Sequence, residues 1–316
     1  MKQVSFGFQR ELRKGIVLTS DFVYSKGTNL ASLINLNQPL PNAAGNNALG
    51  ALPYANFGFI EWRAQDAESE YKGIDLGLER RFANGYSFGI SYTLGDSKDS
   101  ASEQLSTQGS NAFPQNSRDT SAWYGPSDYD VRHRLAINTV IELPFGKGKK
   151  WATEGFGAAL LGDWTLSGIF TYRSGRPYTV NQSGNNVGQN MTGLPNQIGD
   201  PDSGVDRSCS STTDCPAAVR WFNPAAFQAV VSGNFGNERR NQLRGPDYQS
   251  LDFTLQRSVS FSKRVGAVLR WDVFNALNRT NFGLPNRNLT DTANVGTITS
   301  LGGDPRLMQL SIRLNF

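Results

Sequence analysis

Apolar residues recur at every second position in nine separate stretches of the chain, and polar stretches rich in Gly, Asn, Ser and Pro separate them. Side chains on a β-strand alternate between its two faces, so each stretch predicts a strand with one apolar and one polar face. The last is the cleanest. In Arg306 to Phe316, Met308, Leu310, Ile312, Leu314 and Phe316 share one parity, and Gln309, Ser311, Arg313 and Asn315 share the other. Earlier strands are predicted over 3–11 (Val4, Phe6, Phe8), 16–25 (Ile16, Leu18, Phe22, Tyr24), 71–81 (Ile74, Leu76, Leu78) and 86–95 (Phe88, Ile90, Tyr92, Leu94). Four more follow over 132–143 (Leu135, Ile137, Ile141), 163–173 (Trp164, Leu166, Phe170, Tyr172), 249–259 (Leu251, Phe253, Leu255) and 265–275 (Ala267, Leu269, Trp271, Val273).

The connections are sorted by length. Short turns at Arg13-Lys14-Gly15, at the Asn84-Gly85 hairpin signal and around Ser262-Lys263 alternate with long polar segments over 26–70, 96–131, 174–248 and 276–305. One connection, 144–162, is of medium length, and Phe57 to Trp62 forms an extra extended piece inside the first long segment. A soluble sandwich has no reason to sort its loops by side, whereas an outer-membrane barrel places short turns in the periplasm and long loops outside. The terminal stretch has the ~9–11 residues needed to cross a bilayer as a tilted strand. Trp164 and Tyr172 share one face of one strand, ~26 Å apart at ~3.3 Å per residue, close to the spacing of two interfacial aromatic girdles. The expected fold class is therefore all-β, an antiparallel transmembrane β-barrel wall with four long extracellular loops. Two rivals stand beside it. A self-contained small pore or structural barrel should have an even number of strands and its own export signal. A soluble β-sandwich binding module would stay in the aqueous phase without detergent.

Composition fits this picture. The chain has 316 residues, 38% of them hydrophobic, and a mean hydropathy of −0.43. No run approaches the ~18 apolar residues of a membrane helix, which does not bear on strands that face lipid with every second residue. The net charge of +4 is scattered. The one tight basic cluster, Lys147, Lys149 and Lys150, reads as a solvated turn, and without a basic stripe no nucleic-acid partner is expected. Met1 to Phe8 has neither the apolar core nor the cleavage site of a signal peptide and already reads as a strand. An exported protein needs an export signal, so the chain is expected to be the carboxy-terminal part of something longer.

Little here suggests chemistry. His133, the single histidine, has no cluster of carboxylates or thiols to make a metal site or a triad. Its expected role is structural, pairing with Asp128 or Asp130. Cys209 and Cys215 lie in the longest loop, where two cysteines of an exported protein predict a disulfide that ties down a small loop. Arg134, Glu142, Arg173, Asp252, Arg257, Arg270, Asp272 and Arg313 are assigned to the polar, lumen-facing side, because charges cannot face lipid cheaply. No phosphate loop, nucleophile elbow or metal spacing is present in the sequence. No enzyme activity, cofactor or metal is expected.

Six stretches carry a family resemblance: Tyr24 to Leu30, Asp130 to Arg134, Ser174-Gly175-Arg176-Pro177-Tyr178, Trp221-Phe222-Asn223-Pro224-Ala225-Ala226-Phe227, Arg240 to Pro246 and Phe274-Asn275-Ala276-Leu277-Asn278-Arg279-Thr280-Asn281-Phe282. In this order they resemble the carboxy-terminal half of Oar-like TonB-dependent transporters. The resemblance implies a 22-stranded barrel around an amino-terminal plug, which so wide a lumen needs. The whole chain, 1–316, would then be one unit supplying strands 14 to 22, without the plug, TonB box or regulatory-like β-sandwich that such receptors carry in front. The terminal segment resembles a closing barrel strand, in which Phe316, with Leu314, Ile312 and Leu310, forms part of the signal read by the barrel assembly machinery. Implied partners are outer-membrane lipid and lipopolysaccharide, that machinery, a plug domain and TonB. The implied function is energised uptake of an unidentified substrate in the outer membrane, or adhesion through the outer loops. On this resemblance the polar-face charges contact plug or substrate, or they simply hydrate and pair within the wall. The sequence leaves both open.

Overall fold

The computed structural model describes residues 1–39, 50–103, 113–184, 187–188, 191, 193–205, 207, 220–262 and 264–316. All nine expected strands form. They are β1 (Lys2–Arg13), β2 (Ile16–Asn35), β3 (Glu61–Ala83), β4 (Tyr86–Asp99), β5 (His133–Glu142), β6 (Trp164–Arg173), β7 (Tyr248–Ser260), β8 (Gly266–Phe274) and β9 (Leu307–Asn315). Each pairs antiparallel with its neighbour in sequence, so the sheet is a single up-and-down wall. It is not closed: β1 and β9 are its two edges. Among the described residues no helix is long and apolar enough to cross a membrane, which says nothing of strands.

Register keeps the two faces distinct across the wall. Tyr86, Ile141, Leu166, Leu255, Trp271 and Leu310 stand opposite one another along one row of six strands. Asp21, Asp75, Thr93, Arg134, Arg173 and Tyr248 form a row on the other face. A slip of one residue would exchange the faces. Tight turns help to fix the register: Asn84 and Gly85 both have positive φ, 56° and 83°, as the two-residue turn matching strand twist requires. The apolar side chains are exposed rather than packed, Leu310 at 77% and Ile312 at 66%. Such a surface is stable only against a partner or lipid.

The first long segment is shorter than expected. Residues 26–35 and 61–70 continue β2 and β3 as a paired ribbon, with register shifts between Gly27 and Leu30 and between Leu30 and Ser32. Asn29 has a positive φ of 55° in this bulged stretch. Bulges break the period of two, and the buried positions include Ser32 and Asn35, so hydrophobic alternation could not reveal this ribbon. Phe57 to Ile60 is irregular, and only Glu61 and Trp62 of the expected extra piece are strand. The medium connection contains a seven-residue helix, α1 (Gly155–Leu161).

Candidate functional site

The long connections gather at one end of the wall and fold into a cap with its own core. Tyr178, Val180, Phe222, Ala226, Phe227 and Val295 are buried together, flanked by Trp221, Leu243 and Leu289. The Phe222 ring meets Phe227 edge-on at 5.7 Å and Tyr178 at 5.9 Å. Burying side chains of this size stabilises by roughly 1.5–3 kcal/mol each. Burial also pushes the Tyr178 hydroxyl pKa up.

The quoted motifs are the braces of this cap. Asn223 accepts a hydrogen bond from the Ala225 N–H at 3.0 Å and opens a single turn, Pro224–Ala226, that carries Phe222 and Phe227 into the core. Ser174 to Tyr178 and Arg240 to Pro246 come together as a two-residue ladder, Leu243 opposite Tyr178 and Arg244 opposite Pro177. There the backbones touch: a Cβ on Gly175 would lie 1.7 Å from the Gly245 carbonyl oxygen. Asn275, with a positive φ of 46°, donates to the carbonyls of Arg279 and Asp304 at 2.9 and 3.0 Å and accepts from the Arg279 N–H. Asn281 grips Gln249 through both its N–H and its carbonyl, each at 2.8 Å.

Arg240 locks the cap to the wall. Only 2% exposed, it donates to the Asp99 carbonyl at 2.8 Å, the Asp99 carboxylate at 2.7 Å and Ser102 Oγ at 2.6 Å, and pairs with Asp128 at 3.3 Å. Asp99 is the last residue of β4. Beside it, Asn241 bonds Thr179, the Pro126 carbonyl and Asp128. Arg244 pairs with Asp130, whose other carboxylate oxygen accepts from the Ser97 N–H. Gln115 bridges two segments, accepting from the N–H groups of Leu194 and Gly236 and donating to the Gly236 carbonyl. Glu238 stands apart: it is 4% exposed and neither carboxylate oxygen has a partner. Burial pushes its pKa up to about 7, opposed only by the Arg239 backbone N–H.

The second feature is the polar face of the wall. Arg134, Glu142, Arg173, Asp252, Arg270, Asp272 and Arg313 all have the register of this face. Asp272 accepts from Thr254 at 2.6 Å and from Arg270 at 2.8 Å. Glu142 pairs with Lys149 at 2.6 Å. Asp252 is tied to Ser250 and to the Asn275 N–H. Arg134 and Arg173 stand directly opposite each other, and Arg173 lies over the Tyr248 ring at 4.6 Å. Near β1 to β5 the same face holds a hollow of about 690 Å³ whose lining includes Gln9, Thr19, Gly77, Ser91 and Asn138.

Arg257 does not belong to this set. It is opposite Trp164 and Leu269, on the apolar face. It interrupts the apolar set of β7 between Leu255 and Val259. Its two terminal guanidinium nitrogens donate to the carbonyls of Ala159 and Leu160 in α1, and the group lies over the Trp164 ring at 5.8 Å. The partner of the His133 ring is the Tyr92 hydroxyl at 2.8 Å. The expected partners, Asp128 and Asp130, are taken by Arg240, Asn241 and Arg244. Cys209 and Cys215, and so the expected disulfide, lie outside the described residues. Leu310, Ile312 and Leu314 project together from the apolar face of β9, and Phe316 follows the strand, fully exposed. Arg240, Gln115 and Glu238 escaped the sequence reading because loop residues far apart in the chain carry no periodic signal. The motif beginning at Arg240 was the only hint.

A family model described as an outer membrane beta barrel domain matches residues 1–309. Among solved structures the chain is similar to the outer membrane transporter YddB from Escherichia coli, at 12% identity and a TM-score of 0.49, over 99% of this chain and 32% of that one. It is also similar to a chain of the FpvAI–pyocin S2 complex, at 12% identity and a TM-score of 0.43, over 99% of this chain and 27% of that one. The chain thus spans 32% and 27% of the length of these two structures. No curated protein matches.

Proposed function

The chain belongs to the outer-membrane β-barrel domain family, and we propose that it forms part of the wall of a TonB-dependent transporter that takes up an unidentified substrate. In barrels of this kind the apolar face meets lipid, the polar face lines the lumen, and short turns lie in the periplasm. The cap then stands outside the cell as the surface that meets the substrate. The observation that carries the reading is the cap itself: a pre-built body with a buried core, pinned by Arg240 to the end of β4. Loops that only had to solvate the strand ends would not need one. The polar face adds support. Like charges in register repel, so the Arg134–Arg173 pair suits a lumen with an occupant, such as a plug or an acidic substrate group. The proposed role is transport, not catalysis. A passive pore built from this sheet alone would need β1 to pair with β9, and they are at opposite edges.

The test is competitive growth of cells with and without the intact protein on mixed oligosaccharide or oligopeptide pools, with TonB intact or disrupted. A protein-dependent advantage that disappears with TonB is expected. An advantage that persists without TonB overturns energised uptake. The adhesion reading predicts instead protein-dependent attachment to surfaces, indifferent to TonB.

A further inference from the structure

At the short-turn end the wall carries an arrangement that transport does not require. The connection between β5 and β6 does not hang below the sheet; it folds onto the apolar face. Two side chains of that face hold it there. Trp164 donates its indole N–H to the Leu160 carbonyl at 3.0 Å, and Arg257 donates to the carbonyls of Leu160, at 3.1 Å, and Ala159. Both carbonyls belong to the last turn of α1, which therefore lies on the side that lipid covers. Its outward residues are apolar: Phe156 is 81% exposed, with Leu160 and Leu161 beside it.

Cations sit among the aromatics at this end, beside the acidic Glu154 at the N-cap of α1. Arg80 shares the apolar-face register with Leu78 and Phe88, and its guanidinium lies 3.7 Å over the Tyr86 ring. Arg257 sits over Trp164, and Lys150 lies over the exposed Trp151 at 4.9 Å. Lys147 is exposed nearby, while Lys149 is engaged by Glu142. Glu154 and Asp163 are the acidic residues of the same connection. The opposite end of the apolar face is different. There Lys26, Glu70 and Lys98 alternate in one row, and Lys72 and Lys98 form ion pairs with Glu70 and Asp96.

We propose that α1 and its flanking lysines form an interfacial anchor, with Phe156 and Leu160 inserted into the periplasmic leaflet and Lys147, Lys150 and Arg80 binding anionic phospholipid headgroups. An apolar helix face flanked by cations is the composition that seats a helix in the plane of an interface. The cations above aromatic rings keep their charge at the depth of the phosphates. Each basic residue near an anionic surface strengthens association by roughly fivefold.

The test uses the intact protein reconstituted in vesicles. Phe156→Cys, in a Cys209→Ser, Cys215→Ser background, carries an environment-sensitive fluorophore, and nitroxides are placed on phosphatidylcholine or on phosphatidylglycerol headgroups. Blue-shifted emission is expected, with quenching at least about twofold stronger by the phosphatidylglycerol nitroxide. That preference should weaken in Lys147→Gln, Lys150→Gln, exposed changes that leave the wall intact, as heat-modifiable migration would verify. Water-like emission with no quenching by either lipid overturns the anchor. Equal quenching by both lipids, unchanged when the lysines are removed, overturns the headgroup assignment.

Discussion

The wall and the cap are held together by opposite means. In the wall the backbone ladder is continuous over nine strands while apolar side chains such as Leu310 and Ile312 face outward without partners. In the cap, regular ladders are only two residues long, and side chains supply the order: Phe222 and Val180 are wholly buried, and Asn, Gln and Arg side chains bond the backbone. The difference follows from solvent. Hydrocarbon solvates apolar side chains but no backbone group, so the wall must satisfy its backbone by pairing and can leave its side chains out. Water does the reverse, so the cap must bury apolar groups and can leave its backbone irregular.

Substitutions can break each half of this contrast separately. The largest effect is expected for Arg240→Ala, which leaves the Asp99 carboxylate facing a buried void. Removing one partner of a buried pair costs about 3–5 kcal/mol. Whole-cell proteolysis should cut the cap, while the wall keeps its heat-modifiable migration. If both fail together, cap and wall are one cooperative unit. Next is Ile312→Arg on the apolar face of β9, expected to cost about 2–4 kcal/mol in vesicle folding titrations. The adjacent Ser311→Arg, on the polar face opposite Arg270, should cost far less. Equal costs would show that the two faces are not differently solvated.

Smaller effects sharpen the description of the cap. Asn275→Ala removes three hydrogen bonds at a positive-φ position and should cost about 1–3 kcal/mol, read as faster hydrogen exchange over 276–281. Glu238→Gln tests the buried carboxyl. Its pKa is raised in the folded cap from 4.5 to about 7, so the unfolded state releases the proton first and cap stability falls as pH rises through that window. Exchange at the Glu238 amide, which donates to the Pro195 carbonyl, should quicken with pH in the parent chain. In Glu238→Gln that added acceleration, beyond the intrinsic rate, should be absent.

The sequence made the wall legible, strand by strand, because one side of every strand must be apolar at every second residue. Val265 to Asn275 matches its strand within one residue at both ends, and Tyr71 to Arg81 matches within two residues at its turn end. Where that requirement stops, so did the reading. The ribbon of residues 26–35 and 61–70 stands beyond the alternating segments and is bulged, so its sequence reads as loop. The charge of Arg257 argues for the polar face, while its parity with Leu255 puts it on the apolar one, and parity decides. Lipid-facing arginine is tolerable where α1 offers carbonyls and Trp164 a ring.

By itself the sequence determined the fold class, the number and order of strands, which face of most strands is apolar, and the sorting of loops to one end. These follow from local rules, a period of two and the chemistry of turns, which act within a dozen residues. Only the tertiary structure decided that the long loops share a core, that Arg240 joins residues up to 141 positions away, that Glu238 is buried without a partner, and that α1 turns back onto the apolar face. Those contacts depend on which distant segments meet once the strands have brought their ends together, and no local pattern encodes that meeting.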